Sequence, residues 1–233
     1  MIYHVVAFSR SGSSHLNLYC KNHNMTVDKN VITLGEFFQR QHYIDNEKIS
    51  YDRSGHANGR DETNKINFLK KYPNKYSFKF IPHTVPEEFR SDILEYLNNC
   101  NLLTIKRDPF DMFLSHTYQK KTGWKQSHGA TEPLLNKLEI NIKDIKYFIK
   151  IWNENKNFID SCKIYHTFNY NNLDEQLYDF FGVRHGSYEI DPMRRHWSWS
   201  KIKPMQIDYR SLLVDYELIE ERFYEEIQPW LLG

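Results

Sequence analysis

A short polar segment, Ser9-Arg10-Ser11-Gly12-Ser13-Ser14, follows the apolar run 2–8 near the start of the chain. This order predicts a buried strand, a tight loop and a helix that begins near Ser13 and ends near residue 22. Backbone N–H groups at a helix start, hydroxyls and one guanidinium together favour a phosphate or sulfate group. Capping of the helix by Ser13 or Ser14 would use the same residue types, so both interpretations stay open here.

The loop differs from two common phosphate-binding loops. A Walker A loop has a second glycine and an adjacent lysine, and a phosphatase loop has a cysteine. None of these is present in residues 9–14. Any anion would therefore be bound by backbone groups, hydroxyls and Arg10.

A second candidate site follows the apolar run 101–106. The run predicts a strand that is covered on both faces, and Asp108 with Pro109 predicts a helix start directly after it. Arg107 would then lie at the carboxyl end of the strand beside a positive helix terminus, which favours an anion. Ser115 follows two helical turns later and could join Arg107. An Arg107–Asp108 ion pair with a buried Ser115 is the structural alternative.

The rest of the chain alternates strands with helices, which predicts one α/β domain with a central, mostly parallel sheet flanked by helices. Ligands of such sheets bind at the carboxyl ends of the strands. Further strands are predicted at 76–81 and 163–167, and helices at 86–98, 109–121, 142–161, 173–181 (ended by Gly182) and 212–227. Residues 41–75 and 123–141 have no clear period and are predicted to be long loops.

Composition narrows the class of protein. The 233 residues, 40% hydrophobic and 26% charged, suit one folded domain over 1–233, and the formal charge of +1 argues against a surface built for nucleic acid. Three scattered cysteines predict neither disulfides nor a thiolate metal site, and the eleven histidines have no close ligand spacing, so no metal is expected. Without a long apolar run or a signal segment, we expect a cytoplasmic protein with no integral membrane association.

Taken together, the segment 8–14 and the segment from Ile105 to Ser115 resemble the sulfotransferases that use 3′-phosphoadenosine 5′-phosphosulfate (PAPS). Shorter matches are most similar to the bacterial trehalose-type carbohydrate enzymes: Leu34-Gly35-Glu36-Phe37-Phe38-Gln39, Phe78-Lys79-Phe80 and Thr122-Gly123-Trp124. The resemblance implies a P-loop-NTPase-like sulfotransferase fold. It also implies transfer of a sulfuryl group from PAPS to a hydroxyl of a small molecule or glycan, with a carbohydrate or glycolipid favoured.

The resemblance assigns roles to individual residues. The first loop, with Arg10, Ser11, Gly12, Ser13 and Ser14, would bind the 5′-phosphosulfate. Arg107 and Ser115 would bind the 3′-phosphate. Arg10 would also stabilise charge on the leaving phosphate. Lys79 would be a second cation, and a lysine that extends along the sheet edge into water is the alternative.

Two residues are candidates for the general base. Glu36 stands in a Glu-Phe-Phe setting like that of the catalytic glutamate of the carbohydrate enzymes, and its phenylalanine neighbours would reduce its solvation. His83 is similar in place to the histidine of the Lys-Thr-His segment of cytosolic sulfotransferases, although Ile81 replaces the lysine. We expect Glu36 to be the base and His83 an auxiliary or acceptor-side group. An ion-paired Glu36 and a merely hydrogen-bonded His83 are the alternatives.

The chain also departs from the family pattern. Residues 168–173 carry amides where the family has Tyr-Glu-Asp-Leu, and the Arg-Lys-Gly nucleotide loop is absent. The stretch 194–203, with Arg195 and Lys201, is its nearest substitute and could supply charge and a surface for adenine. An ordinary surface loop fits it equally well. Acceptor contacts are expected from residues 41–75 and 123–141, namely Tyr43, Tyr51, His56, Trp124 and His128.

Two other classes of function remain alternatives. A kinase-like nucleotide phosphotransferase would use a similar loop, but it would normally need more glycines and carboxylates that bind magnesium. A catalytically silent nucleotide-binding module would keep the anion-binding loops and need no base.

Overall fold

The computed structural model describes residues 1–38, 42–45, 47–51, 62–122, 137–182 and 208–231. The chain divides into two compact units, one of Met1–Lys106 with Glu154–Gly182 and the other of Arg107–Asn153 with Val183–Gly233. Within the described ranges, none of the helices has both the length and the apolar character that crossing a membrane requires.

The protein is built from alternating strands and helices, as the sequence predicts. The strands are β1 (Tyr3–Val6), β2 (Ile32–Thr33), β3 (His42–Asp45), β4 (Lys48–Tyr51), β5 (Tyr76–Ser77), β6 (Lys79–Phe80), β7 (Asn101–Lys106) and β8 (Ile164–Asn169). The helices are α1 (Ser13–Val27), α2 (Glu62–Lys71), α3 (Arg90–Leu97), α4 (Pro109–Thr122), α5 (Ile142–Asp160), α6 (Leu173–Phe181) and α7 (Tyr216–Leu231).

A four-stranded parallel sheet forms the centre of the first unit, which confirms the predicted α/β class. Its order is β6-β1-β7-β8, with Val5 paired to Lys79 on one side and to Leu103 on the other. The chain adds β6 on one side of β1 and then β7 and β8 on the other. The connections therefore diverge between β1 and β7, and such a switch point is where open α/β sheets bind their ligands.

Both faces of the sheet are buried along β1 and β7, whereas alternate residues of the edge strand β8 are exposed. Tyr3 of β1 packs against His23 of α1 and Phe180 of α6, whereas the next residue, His4, meets Phe78 edge to face. Val6 lies on the same side as His4, in an apolar cluster that includes residues of α2, α3 and the end of α5. Burial on two faces explains why the β1 and β7 segments are almost continuously apolar.

An aromatic core holds the second unit together. Phe113 of α4 stacks on Phe223 of α7 at 5.1 Å between ring centroids and packs against Phe148 of α5 at 5.5 Å. The start of α4 is as predicted. Pro109 is its first residue, and Asp108 Oδ1 accepts a hydrogen bond from the Asp111 N–H at 2.9 Å.

Several boundaries differ from the sequence prediction. Capping of α1 by Ser13 or Ser14 is wrong, because Gly12 is the N-cap residue without a side-chain hydrogen bond, and the helix continues to Val27. A long loop over 41–75 is wrong in part, because the segment contains the antiparallel hairpin β3–β4 and the helix α2. These elements are short and largely polar, so their hydrophobic period is weak. Residues 123–136 of the second predicted loop lie outside the described residues.

Candidate functional site

The loop after β1 carries two residues with left-handed backbone conformations, Arg10 at φ 67° and Gly12 at φ 91°. They turn the chain so that the Gly12 carbonyl accepts the first helical hydrogen bonds, from the His15 and Leu16 N–H groups at 2.9 and 3.3 Å. The N–H groups that begin α1 have no partner within the helix by its geometry. The loop therefore offers backbone donors at a positive helix end, the arrangement that suits an anion.

The serine hydroxyls of this loop are not equivalent. Ser11 is buried and donates from its hydroxyl to the Phe8 carbonyl at 2.8 Å, which closes the loop. Ser13 is also buried, whereas Ser14 is exposed. Of these three serines, Ser14 is thus the one that is open to solvent.

Gly12 is needed both for its backbone conformation and for space. A Cβ atom there would lie 2.9 Å from Cδ2 and Cε2 of Tyr170 and 3.4 Å from Cδ2 of Leu173. Tyr170 and Leu173 belong to the segment that begins α6. The loop and the start of α6 therefore pack against each other through a position that only glycine fills without strain.

We expect Gly12→Ala to lower the free energy of unfolding more than Gly182→Ala does. Gly182 also has a positive φ, 71°, but nothing lies within 4 Å of its added Cβ atom. Gly182→Ala should therefore lower the free energy of unfolding only by the cost of an alanine in the left-handed conformation, about 1–2 kcal/mol. Gly12→Ala must also displace Tyr170, which adds about 1–3 kcal/mol. Urea unfolding of both variants measures the difference, and equal losses would mean that Tyr170 does not restrict this position.

A buried lysine connects the loop to a carboxylate. Lys79 Nζ donates to Ser14 Oγ at 3.0 Å and pairs with Glu36 Oε1 at 2.5 Å. Its side chain is only 7% exposed, so it does not extend along the sheet edge into water. The Lys79 N–H also donates to the Gly35 carbonyl at 3.1 Å, which holds the Glu36 turn beside β6.

Glu36 lies between the hydrophobic core and the surface. Phe37 and Phe38, which follow it, are buried in the core cluster of the first unit, while the Glu36 side chain is 24% exposed. The two phenylalanines therefore anchor the turn that carries Glu36 in the core. The ion pair with Lys79 is present as well, so the carboxylate is held in place and still reaches solvent.

His83 lies just beyond β6, in the short 3-10 helix Pro82–Thr84. Burial lowers the pKa of His83, and the charge of Arg90 acts in the same direction. A hydrogen bond from the protonated ring to Asn155 Oδ1 and the charges of Glu154 and Glu36 oppose this shift without cancelling it. His83 is therefore neutral at neutral pH, and it shares an electrostatic environment with Glu36.

The second predicted motif lies in the second unit. Arg107 is half-buried, and Ser115 is buried with its Oγ 3.5 Å from the Tyr209 hydroxyl. Asp108 accepts a hydrogen bond from the Tyr224 hydroxyl at 2.9 Å. Burial, together with this bond, raises the pKa of Tyr224. The motif therefore begins a helix that is well anchored within its own unit.

Several predicted site residues cannot be placed. Arg195 and Lys201, with the rest of 194–203, lie outside the described residues. The same holds for His56, Trp124 and His128. Tyr43 is half-buried in β3, on the hairpin that replaces part of the expected loop.

The first unit thus brings together the loop 9–14, Glu36, Lys79 and His83. Sequence reasoning missed two residues that contact this group, Tyr170 and Asn155. Asn155 has a recognisable signal, because it is an amide on the buried face of α5, three residues after Trp152 and four before Ile159. A polar residue on an apolar helix face usually has a specific partner.

Comparison with known proteins adds no family to these observations: no protein-family model matches the chain, and no curated protein matches it. Among the residues that the structure describes, no group of three or more histidine, cysteine, aspartate or glutamate side chains is arranged to hold a metal ion.

Proposed function

We propose that this protein is a PAPS-dependent sulfotransferase with a P-loop-NTPase-like sulfotransferase fold, and that it transfers a sulfuryl group to a hydroxyl of a carbohydrate, glycolipid or related small molecule. The observation that carries the proposal is the contact of one buried lysine, Lys79, with both Ser14 and Glu36. It joins an anion-binding loop to a carboxylate that can accept a proton.

Donor binding would use the groups of the loop after β1. The N–H groups at the start of α1, with Arg10 and Ser14, would bind the 5′-phosphosulfate. The resemblance assigns the 3′-phosphate to Arg107 and Ser115. A guanidinium forms strong paired hydrogen bonds with phosphate, so Arg107 would supply most of that recognition.

The transfer itself would need positioning and charge rather than a covalent enzyme intermediate. The acceptor oxygen would form a bond to sulfur while the bond from sulfur to the 5′-phosphate oxygen breaks, which releases adenosine 3′,5′-bisphosphate. Arg10 and Lys79 would stabilise the negative charge that develops on the leaving phosphate. Glu36 would take the proton of the acceptor hydroxyl.

The position of the loop in the sheet supports the same conclusion. The loop leaves β1 at the carboxyl edge, where the connections from β1 and β7 diverge. Lys79 belongs to β6, the other neighbour of β1. A ligand in the crevice of this edge would therefore meet groups from adjacent parallel strands.

Adenosine 3′,5′-bisphosphate is expected to bind and to raise the melting temperature, whereas ATP with magnesium should have little effect. Arg107→Ala should lower the affinity for the bisphosphate about ten- to a hundredfold, because a charged hydrogen bond contributes about 1.5–3 kcal/mol. Ser115→Ala should cost less. Titration calorimetry on the full chain measures the affinity of the wild type, Arg107→Ala and Ser115→Ala for the bisphosphate.

Arg222→Ala is the control for this series. Arg222 is an exposed arginine of α7 that pairs with Glu225 and Glu226. Its loss should leave nucleotide affinity unchanged. An Arg107→Ala variant with wild-type affinity, or preferential binding of ATP with magnesium, would contradict the proposal.

Transfer of radiolabelled sulfate from PAPS to an acceptor in a screen of glycans, lipids and phenols would distinguish an enzyme from a silent binding module.

A further inference from the structure

The side-chain amide of Asn155 contacts His83 at two points, although the residues are 72 positions apart. Asn155 Oδ1 lies 2.9 Å from the backbone nitrogen of His83. His83 Nδ1 lies 2.9 Å from Asn155 Nδ2 and 3.2 Å from Asn155 Oδ1. Asn155 is 1% exposed, near the end of α5. One buried amide thus holds both the backbone and the imidazole ring of the same residue.

The donors and acceptors in this pair follow from the chemistry of the groups together with the three contact distances. A backbone N–H can only donate, so the amide atom that faces it must be the oxygen. The other amide atom is then the nitrogen, and an amide NH₂ group also only donates. Asn155 Oδ1 lies farther from Nδ1, at 3.2 Å, and already accepts from the backbone N–H. A protonated Nδ1 would face the amide NH₂ group at 2.9 Å, donor against donor, so the shorter contact indicates that Nδ1 accepts and carries no proton. A neutral imidazole in this state carries its proton on Nε2.

The surroundings favour the neutral form of the ring. Arg90, from α3, donates to the Val85 carbonyl at 3.1 Å and pairs with Glu154 of α5 at 2.9 Å. The charged groups that face His83 are therefore Arg90 and Glu154, a mutually paired set, and Glu36 from the turn after β2. Burial outweighs the attraction of the two carboxylates for a proton.

We propose that Asn155 is a positioning residue, which fixes the tautomer of the buried, neutral His83 with its proton on Nε2, so that His83 donates a hydrogen bond and does not accept the transferred proton. The part of this inference that concerns the reaction rests on the proposed function. The group that receives this bond is an oxygen with partial negative charge, on the acceptor or on the sulfuryl group. The role of the base is then left to Glu36.

The tautomer can be measured without any assay of activity. Long-range proton–nitrogen correlation spectra of the full chain, labelled with ¹⁵N-histidine, report which ring nitrogen of each histidine is protonated. His83→Asn identifies the His83 signals by their loss. We expect a protonated Nε2 and an unprotonated Nδ1 near neutral pH. A proton on Nδ1, or a charged ring, overturns the inference.

Asn155→Asp tests the cause of this tautomer. A carboxylate accepts from both the backbone N–H and the ring, so the proton should move to Nδ1 and the pKa of His83 should rise. Asn24→Asp is the matched control, because Asn24 is also buried and its amide binds both the N–H and the carbonyl of Tyr3. It should leave the His83 signals unchanged. An unchanged tautomer in Asn155→Asp contradicts the inference.

The turnover of Asn155→Asp tests whether the tautomer of His83 matters for the reaction. At a pH above the raised pKa of His83, where the ring is neutral, Asn155→Asp should lower kcat about tenfold while leaving the KM for PAPS unchanged, since one hydrogen-bond donor to the reacting groups is lost. If the proton moves to Nδ1 in Asn155→Asp and kcat does not change, the role of His83 as a hydrogen-bond donor in the reaction is overturned. If Asn155→Asp does not fold, the wild-type spectrum still decides the tautomer. A protein with the expected tautomer that transfers no sulfate to any acceptor would contradict the proposed function and leave the assignment of the proton standing.

Discussion

Glu36→Gln is expected to reduce sulfuryl transfer by about 10²–10⁴-fold, the usual effect of removing a general base. Glutamine keeps the shape of the side chain but cannot take the acceptor proton. The affinity for adenosine 3′,5′-bisphosphate should stay close to that of the wild type, because Lys79 still reaches Ser14. Steady-state rates with labelled PAPS and calorimetry with the bisphosphate give the two quantities separately.

Glu47→Gln and His83→Ala complete this experiment. Glu47 is an exposed carboxylate that also pairs with a lysine, Lys71, so its replacement controls for the loss of an ion pair as such. It should not change turnover. His83→Ala should reduce turnover clearly less than Glu36→Gln, because His83 contributes a hydrogen bond and not the base. The opposite order of the two losses would assign the base to His83.

Lys79→Met should reduce turnover by about 10²–10³-fold, as expected when a buried group that stabilises transition-state charge is lost. Methionine preserves much of the apolar volume of the lysine stem, and Glu36 remains partly hydrated at 24% exposure, so the protein should still fold. Because Lys79 contacts Glu36, the double variant Glu36→Gln/Lys79→Met should be less impaired than the two single losses multiplied together.

Lys71→Met is the control for the lysine. Lys71 pairs with Glu47 at the surface, with its side chain about half exposed, and such pairs contribute little to stability. Its replacement should leave turnover and melting temperature nearly unchanged. Full additivity of Glu36→Gln and Lys79→Met would show that the ion pair has no part in the reaction. A Lys79→Met variant with wild-type turnover would remove the observation on which the proposed function rests.

Local patterns in the sequence were sufficient for much of the fold. The apolar run 101–106 coincides with β7, and residues 173–181 coincide with α6, ended by Gly182 at a positive φ. Asp108 caps α4 as its position before Pro109 indicates. These features depend on residues a few positions apart, on helix-end chemistry and on burial of both faces of a strand. The parallel class of the sheet follows from the alternation of such elements.

Features that depend on distant residues, or on space between elements, were decided only by the tertiary structure. The sequence indicates separately that Ser14, Glu36 and Lys79 are candidates, but the pairing of β6 with β1 brings the lysine to both partners. Gly12, and not Ser13 or Ser14, is the N-cap residue of α1, and Tyr170 occupies the space next to it. The hydrogen bonds between Asn155 and His83 likewise form only when α5 packs beside the turn after β6. Composition and periodicity record whether a residue tends to be buried, whereas the partner of a buried polar group is set by strand order and helix packing.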